Sequence, residues 1–182
     1  MKSLTIKVLL VLSSILATLI LGEICLRLYF AINPRPIYIE KKLGWRTTEN
    51  FHREGLLRDA GGQEYYAKVT TDSHGFRLFG DPRSEKVKIF IIGDSFTHAI
   101  DVSDDKTYYN LLAKKLNVEI FAYGCLGYST LQEFMILDEF IDLIKPNIVI
   151  LQLCFNDIYD NSYALEKISY NSGMTRPYID LQ

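Results

Sequence analysis

The chain has 182 residues, of which 48% are hydrophobic, and a formal net charge of −2. That balance implies no multi-span membrane protein and gives no basis for a nucleic-acid partner. Its three cysteines, Cys25, Cys125 and Cys154, form no disulfide framework and no zinc-type spacing, and histidine occurs only at His52, His74 and His98.

At the N-terminus, Lys2 and Lys7 precede VLLVLSSILATLILG, an uncharged run of 15 residues. A basic start followed by an apolar run reads as a targeting or anchoring signal. The run alone makes about 22 Å of helix against a bilayer core of about 30 Å. With Lys7 and Arg27 snorkelling, residues 8–30 reach across. Glu23 and Arg27 stand at i,i+4, where they pair on one helix face. No small-x-small cleavage pattern follows, so an uncleaved anchor is favoured over a cleaved signal or a buried helix. Flanking charge is heavier after the segment (Arg27, Arg35, Lys41, Lys42, Arg46) than before it. Charge counting therefore places the C-terminal side inside.

Asn33-Pro34-Arg35-Pro36 ends the helix and opens a connector, residues 33–86. Within it YYAKVTT reads as a strand and DSHG as a turn. From residue 87 the pattern is regular. VKIFII is a strand. Ser103 is expected to cap a helix with Asp104 and Asp105 in its first turn, Lys114 and Lys115 in its last, and Tyr108, Leu111, Leu112 and Leu116 as its apolar face. VEIFAY is a second strand. Ser129 and Gln132 predict a capping box for a helix facing the core with Phe134, Leu137, Ile141 and Ile144, stopped at Pro146. NIVILQL is a third strand, whose apolar run predicts burial on both faces. The domains are thus an anchor helix (1–32), a connector (33–86) and an α/β domain (87–182).

Strand–helix alternation is the α/β signature. Right-handed crossovers in a flavodoxin-like parallel sheet place the strands in the order second, first, third, with a ligand crevice beyond their carboxyl ends. Those ends carry Gly93-Asp94-Ser95, Gly124-Cys125-Leu126-Gly127 and Cys154-Phe155-Asn156-Asp157. Acyl transfer needs a nucleophile and donors aimed at a developing oxyanion. Ser95 supplies a hydroxyl, Gly127 a bare backbone approach and Asn156 an amide. Asp94 and Asp157 read as turn organisers. No metal or organic cofactor is implied. His98 lies one short turn past Ser95, a poor platform for a base. Tyr159, Tyr163, Tyr170 and Tyr178 crowd the tail, either lining a sugar surface or packing on the core.

GDSFT, YGCLGYST and LQLCFND, in that order at three strand ends, resemble the blocks of the SGNH (GDSL-type) hydrolases, and VTTDSHGFR resembles a segment preceding the first block in membrane-anchored bacterial members. The resemblance covers about residues 65–157. It implies Ser95 as nucleophile, Gly127 and Asn156 as oxyanion donors, an acyl-ester or acetylated-carbohydrate substrate, and a domain outside the cytoplasm. That orientation conflicts with the flanking charges. Cys154 stands where the family has glycine. The family's Asp-x-x-His block is absent, since no histidine follows Asn156. Only about three core strands can be placed where such a sheet has about five, so the third is expected as an exposed edge. The expectation is a truncated, membrane-anchored serine esterase or O-acyltransferase, inactive by itself. The alternative is a non-catalytic SGNH-like binding or assembly protein of the envelope. A flavin or phosphate binder ranks last, because the GDSFTH turn carries one glycine and an acidic residue.

Overall fold

The computed structural model describes residues 2–59, 61–169 and 175–179. The chain forms two compact units, Met1–Arg35 and Pro36–Gln182. The first is helix α1, Lys2–Ile32. Its stretch Thr5–Ile32 has a mean hydropathy of 2.4 and is long and apolar enough to cross a membrane. The hydroxyls of Ser13, Ser14 and Thr18 donate to the carbonyls of Leu10, Val11 and Ser14, so these three need no outside partner. The expected Glu23–Arg27 pair forms at 2.8 Å. Asn33 closes the helix, its amide nitrogen and side chain both donating to the Tyr29 carbonyl.

The second unit is mixed α/β. Two antiparallel hairpins come first: β1 (Ile37–Glu40) with β2 (Gly44–Thr47), and β3 (His52–Arg58) with β4 (Glu64–Thr70). The region read as a connector therefore holds two hairpins, where the sequence marked one strand. Its apolar residues are isolated and hide their alternation, but Leu43 and Trp45 insert into the main core. The DSHG turn forms as expected, with Asp72 Oδ1 accepting from the nitrogens of His74 and Phe76. It delivers Phe76 to the centre of the core, where its ring meets those of Phe79, Phe90, Tyr123 and Phe140.

The main sheet has the order β5-β7-β6-β8. β6 (Lys88–Gly93), β7 (Glu119–Gly124) and β8 (Ile148–Gln152) are parallel and stand in the second–first–third order expected. The short β5 (Leu78–Phe79) pairs antiparallel at the β7 edge. Side chains alternate across the sheet. Phe90, Ile92, Phe121 and Tyr123 face α4 (Thr130–Ile144), and Ile89, Ile91, Ile120 and Ala122 form a second core with Tyr109 of α3 (Tyr108–Leu116).

Three sequence expectations are corrected. Asp104–Lys106 is a separate 3₁₀ turn, tied down where Asp104 accepts from Arg77 and Thr70. Helix α3 is entered at Tyr108, so Tyr109 and Ala113 face the sheet while Leu111 and Leu116 are exposed. Ser103 makes no side-chain cap; its hydroxyl instead accepts from the Lys68 nitrogen. In α4 the Ser129–Gln132 capping box forms, but the buried stripe is Glu133, Ile136, Phe140 and Ile144, and Phe134 is exposed. The expected burial of β8 fails too. Ile148, Val149, Ile150 and Leu151 are 40–48% exposed, alternating between both faces. The cause is packing: α3 and α4 lie over β6 and β7, and β8 pairs with β6 alone among the described strands. It is the exposed edge the strand count predicted.

Phe76→Ala in the full-length, detergent-solubilised protein should lower unfolding stability by about 3–5 kcal/mol. Phe134→Ala should change it by less than about 0.5 kcal/mol. Chemical denaturation of the two variants checks the reassigned core.

Candidate active site

Parallel pairing levels three strand ends. Gly93 is in register with Gly124 on one side and with Gln152 on the other. The loops carrying Ser95, Gly127 and Asn156 therefore leave the sheet at one end, side by side.

Ser95 opens the single-turn helix α2, Ser95–His98. Asp94 caps it, its Oδ1 accepting from Phe96 N at 3.0 Å, while Ser95 Oγ donates to Asp94 Oδ2 at 3.3 Å. The turn can lie this low because the strands end in glycine. A Cβ on Gly124 would sit 2.7 Å from the Asp94 carbonyl oxygen, and one on Gly93 would sit 3.0 Å from Gln152 Cβ. The far end of α2 is held by Arg77 from the VTTDSHGFR segment. That buried guanidinium donates to the carbonyls of His98, Ala99 (2.6 Å) and Val102 (3.0 Å) and to Asp104 (2.9 Å). Ala99 adopts a left-handed conformation, φ 48°, ending the turn. His98 is buried, and burial together with the charges of Arg77 and Arg53 pushes its pKa down to about 3. The imidazole is neutral at physiological pH. His52 and His74 face Glu54 and Asp72.

Gly127 lies in the loop between β7 and α4, with φ 68°. Its loop is clasped by the first hairpin. Trp45 Nε1 donates to the Leu126 carbonyl at 2.7 Å, Tyr128 OH donates to the Trp45 carbonyl at 2.8 Å, and Gln132 Nε2 donates to the Leu43 carbonyl at 2.7 Å. Among the described residues no acceptor meets the Gly127 N–H.

Asn156 precedes α5, Asp157–Asp160, and its Nδ2 donates to Asp160 Oδ2 at 3.1 Å. A carboxamide nitrogen carries two hydrogens, so one donor remains. Asp157 organises this loop as expected: its Oδ2 accepts from Cys154 N at 2.7 Å and its own N–H donates to the Cys154 carbonyl at 3.1 Å. Cys154, at the glycine position of the resembled block, keeps a free thiol whose pKa is raised by burial and by the nearby Asp94 charge. Cys125 is buried and free, and no disulfide joins the cysteines.

No model of a known protein family matches the chain, and no curated protein matches it.

The structure adds groups that the sequence pattern did not mark. Glu133, in the first turn of α4, is fully buried with neither carboxylate oxygen hydrogen-bonded. Burial, then the charges of Asp157 and Asp94, raise its pKa to about 8. Burial likewise lifts Asp157 to about 6, with Asp94 and Asp160 adding to the rise. The neighbouring acidic charges thus favour the protonated forms of Glu133 and Asp157. Among the described residues no His, Cys, Asp and Glu group is arranged to hold a metal ion. Arg176 is the other addition, buried with Asp160 and Glu166. Of the tail tyrosines, the Tyr163 and Tyr178 rings meet edge to face at 5.4 Å, Tyr163 stays exposed, and Tyr178 OH donates to Glu166. Tyr170 lies outside the described residues.

Between its ordinary value of 4.5 and about 8, folded Glu133 keeps a proton that the unfolded chain has lost. Stability therefore falls as pH rises through that window. Glu133→Gln should remove the fall. Its thermal midpoint should gain on wild type at pH 8.5 and show no such gain at pH 4.5, as read by calorimetry at the two values.

Proposed function

We propose that the chain is an SGNH-type serine acyltransferase or esterase, held at a membrane by α1, with Ser95 as nucleophile and Gly127 and Asn156 as oxyanion donors. The single observation that carries the reading is the level register of Gly93, Gly124 and Gln152, which sends the three loops out from one end of the sheet. Two further features support it. The backbone N–H of Gly127 is free among the described residues, and one hydrogen of the Asn156 amide remains after Asp160 takes the other. Attack of Ser95 Oγ on an acyl carbon would break the carbonyl π bond. The resulting oxyanion would be stabilised by these donors; as the carbonyl re-forms, the ester C–O bond would break and the alkoxide would leave with the proton that the Ser95 hydroxyl gives up. The acyl group would then pass to water or to a carbohydrate hydroxyl.

A second reading, a non-catalytic envelope protein on the same fold, is favoured by one observation. The partner of Ser95 Oγ is the Asp94 carboxylate at 3.3 Å, not an imidazole, and the nearest histidine in sequence, His98, is buried and neutral.

A fluorophosphonate probe separates the two readings. Full-length protein should acquire the phosphonyl group on Ser95, mapped by peptide mass spectrometry. Asn156→Ala should slow that labelling by about 10²–10³-fold, the usual cost of one oxyanion donor. No labelling of Ser95, or equal rates in the two proteins, overturns the enzymatic reading in favour of the binding one.

A further inference from the structure

Both proposed donors are held by residues outside the three sequence blocks. A trans peptide is planar, with its carbonyl and N–H pointing in opposite directions. The peptide between Leu126 and Gly127 has its carbonyl fixed by Trp45 Nε1 at 2.7 Å. The Gly127 N–H is thereby aimed away from the indole. The next carbonyl, that of Gly127 itself, accepts from Arg176 Nη1 at 2.9 Å. Two consecutive carbonyls are thus pinned, and at φ 68° the glycine would otherwise be the most freely rotating residue of the loop.

Arg176 also reaches the other donor. Its Nη1 stands 3.2 Å from Asp160 Oδ2, the same oxygen that accepts from Asn156 Nδ2 at 3.1 Å. Its Nε stands 3.2 Å from Glu166 Oε1, and its guanidinium lies over the Trp45 ring at 4.9 Å. The side chains of Arg176, Asp160 and Glu166 are 0–1% exposed, so these ion pairs are unscreened. Gly127 carbonyl, guanidinium, Asp160 carboxylate and Asn156 amide form one continuous chain of polar contacts between two loops that the sequence places far apart.

We infer that Trp45 and Arg176 are positioning residues that set the direction of the Gly127 N–H and couple it, through Asp160, to the Asn156 amide. The inference rests on the proposed acyl-transfer site, but its geometric part does not need turnover. Trp45→Phe keeps an aromatic ring beneath the guanidinium and removes the indole N–H. Arg176→Lys keeps the charge and loses the planar fork, so one ammonium cannot serve the Gly127 carbonyl, Asp160 and Glu166 together.

Two readouts on the full-length protein in detergent micelles test it. The first is the Gly127 backbone amide and the Asn156 side-chain amide resonances in nitrogen-15 spectra. In Trp45→Phe the Gly127 resonance should move, and in Arg176→Lys both should. The second is fluorophosphonate labelling of Ser95, resolved into its maximal rate and its half-saturating concentration. In both variants the maximal rate should fall by about 100-fold, the scale of a 1 Å misplacement, while half-saturation stays unchanged. A merely structural loss would lower the thermal midpoint without that split. Should Arg176→Lys fail to fold, Trp45→Phe carries the test alone. Unmoved Gly127 and Asn156 resonances, or an unchanged maximal rate alongside moved resonances, overturn the inference. If wild type shows no labelling at all, the acyl-transfer reading fails, and the resonances alone judge whether the peptide is positioned.

Discussion

Helix α2 rests directly on the ends of β6 and β7, and the rest of this end of the molecule depends on that contact. Only a strand end without a side chain admits it, since a Cβ at Gly124 would press on the Asp94 carbonyl and one at Gly93 on the Thr97 hydroxyl. Close approach brings Asp94 low enough to cap α2 and to accept from the Ser95 hydroxyl. It also buries that carboxylate near two more, Glu133 and Asp157, whose protons are then held tightly. One steric allowance at two glycines thus sets the position of the hydroxyl and of the carboxylate that caps its helix.

Around this contact the chain uses arginine to hold loops where regular structure has run out. Arg77 gathers the carbonyls at and beyond the end of α2, and Arg176 joins the Gly127 loop to α5 and to Glu166. A guanidinium suits both tasks because its fork satisfies several acceptors in fixed directions. Both are buried against carboxylates, Asp104 for Arg77 and the Asp160–Glu166 pair for Arg176. Removing either partner would leave an uncompensated buried charge, the costly half of a buried ion pair.

The first two hairpins change what the α/β layer can do. Trp45 reaches over the loop between β7 and α4 and replaces solvent at the Leu126 carbonyl, while the Leu43 carbonyl accepts from Gln132 Nε2 at the start of α4. Without that cover the Leu126 carbonyl would turn to water, and the Gly127 N–H would turn with it. On the opposite flank β8 presents aliphatic side chains on both faces and an edge unpaired among the described residues, because the two helices cover its neighbours. Such an edge readily takes a further strand.

Local chemistry made much of this legible from the residues. Branched apolar runs marked β6, β7 and β8, the Ser129–Gln132 pair marked the start of α4, and glycine-rich polar turns marked the end of the sheet where Ser95, Gly127 and Asn156 emerge. Each signal acts within a few residues, through backbone sterics and near-neighbour hydrogen bonds. What the chain order could not reveal were contacts between residues far apart in sequence: Trp45 on Leu126, Arg77 on the carbonyls after α2, Arg176 on Gly127. Helix rotation was equally hidden. Tyr109 faces the core in place of Tyr108, and Ile136 in place of Phe134, because the sheet and the distant Asp104 tie choose the face, whereas apolar spacing along a helix allows more than one. Sequence alone determined the three parallel strands, the start of α4 and the loop chemistry, since those are local. Only the tertiary structure decided which side chains aim that chemistry, because direction is imposed by partners dozens of residues away.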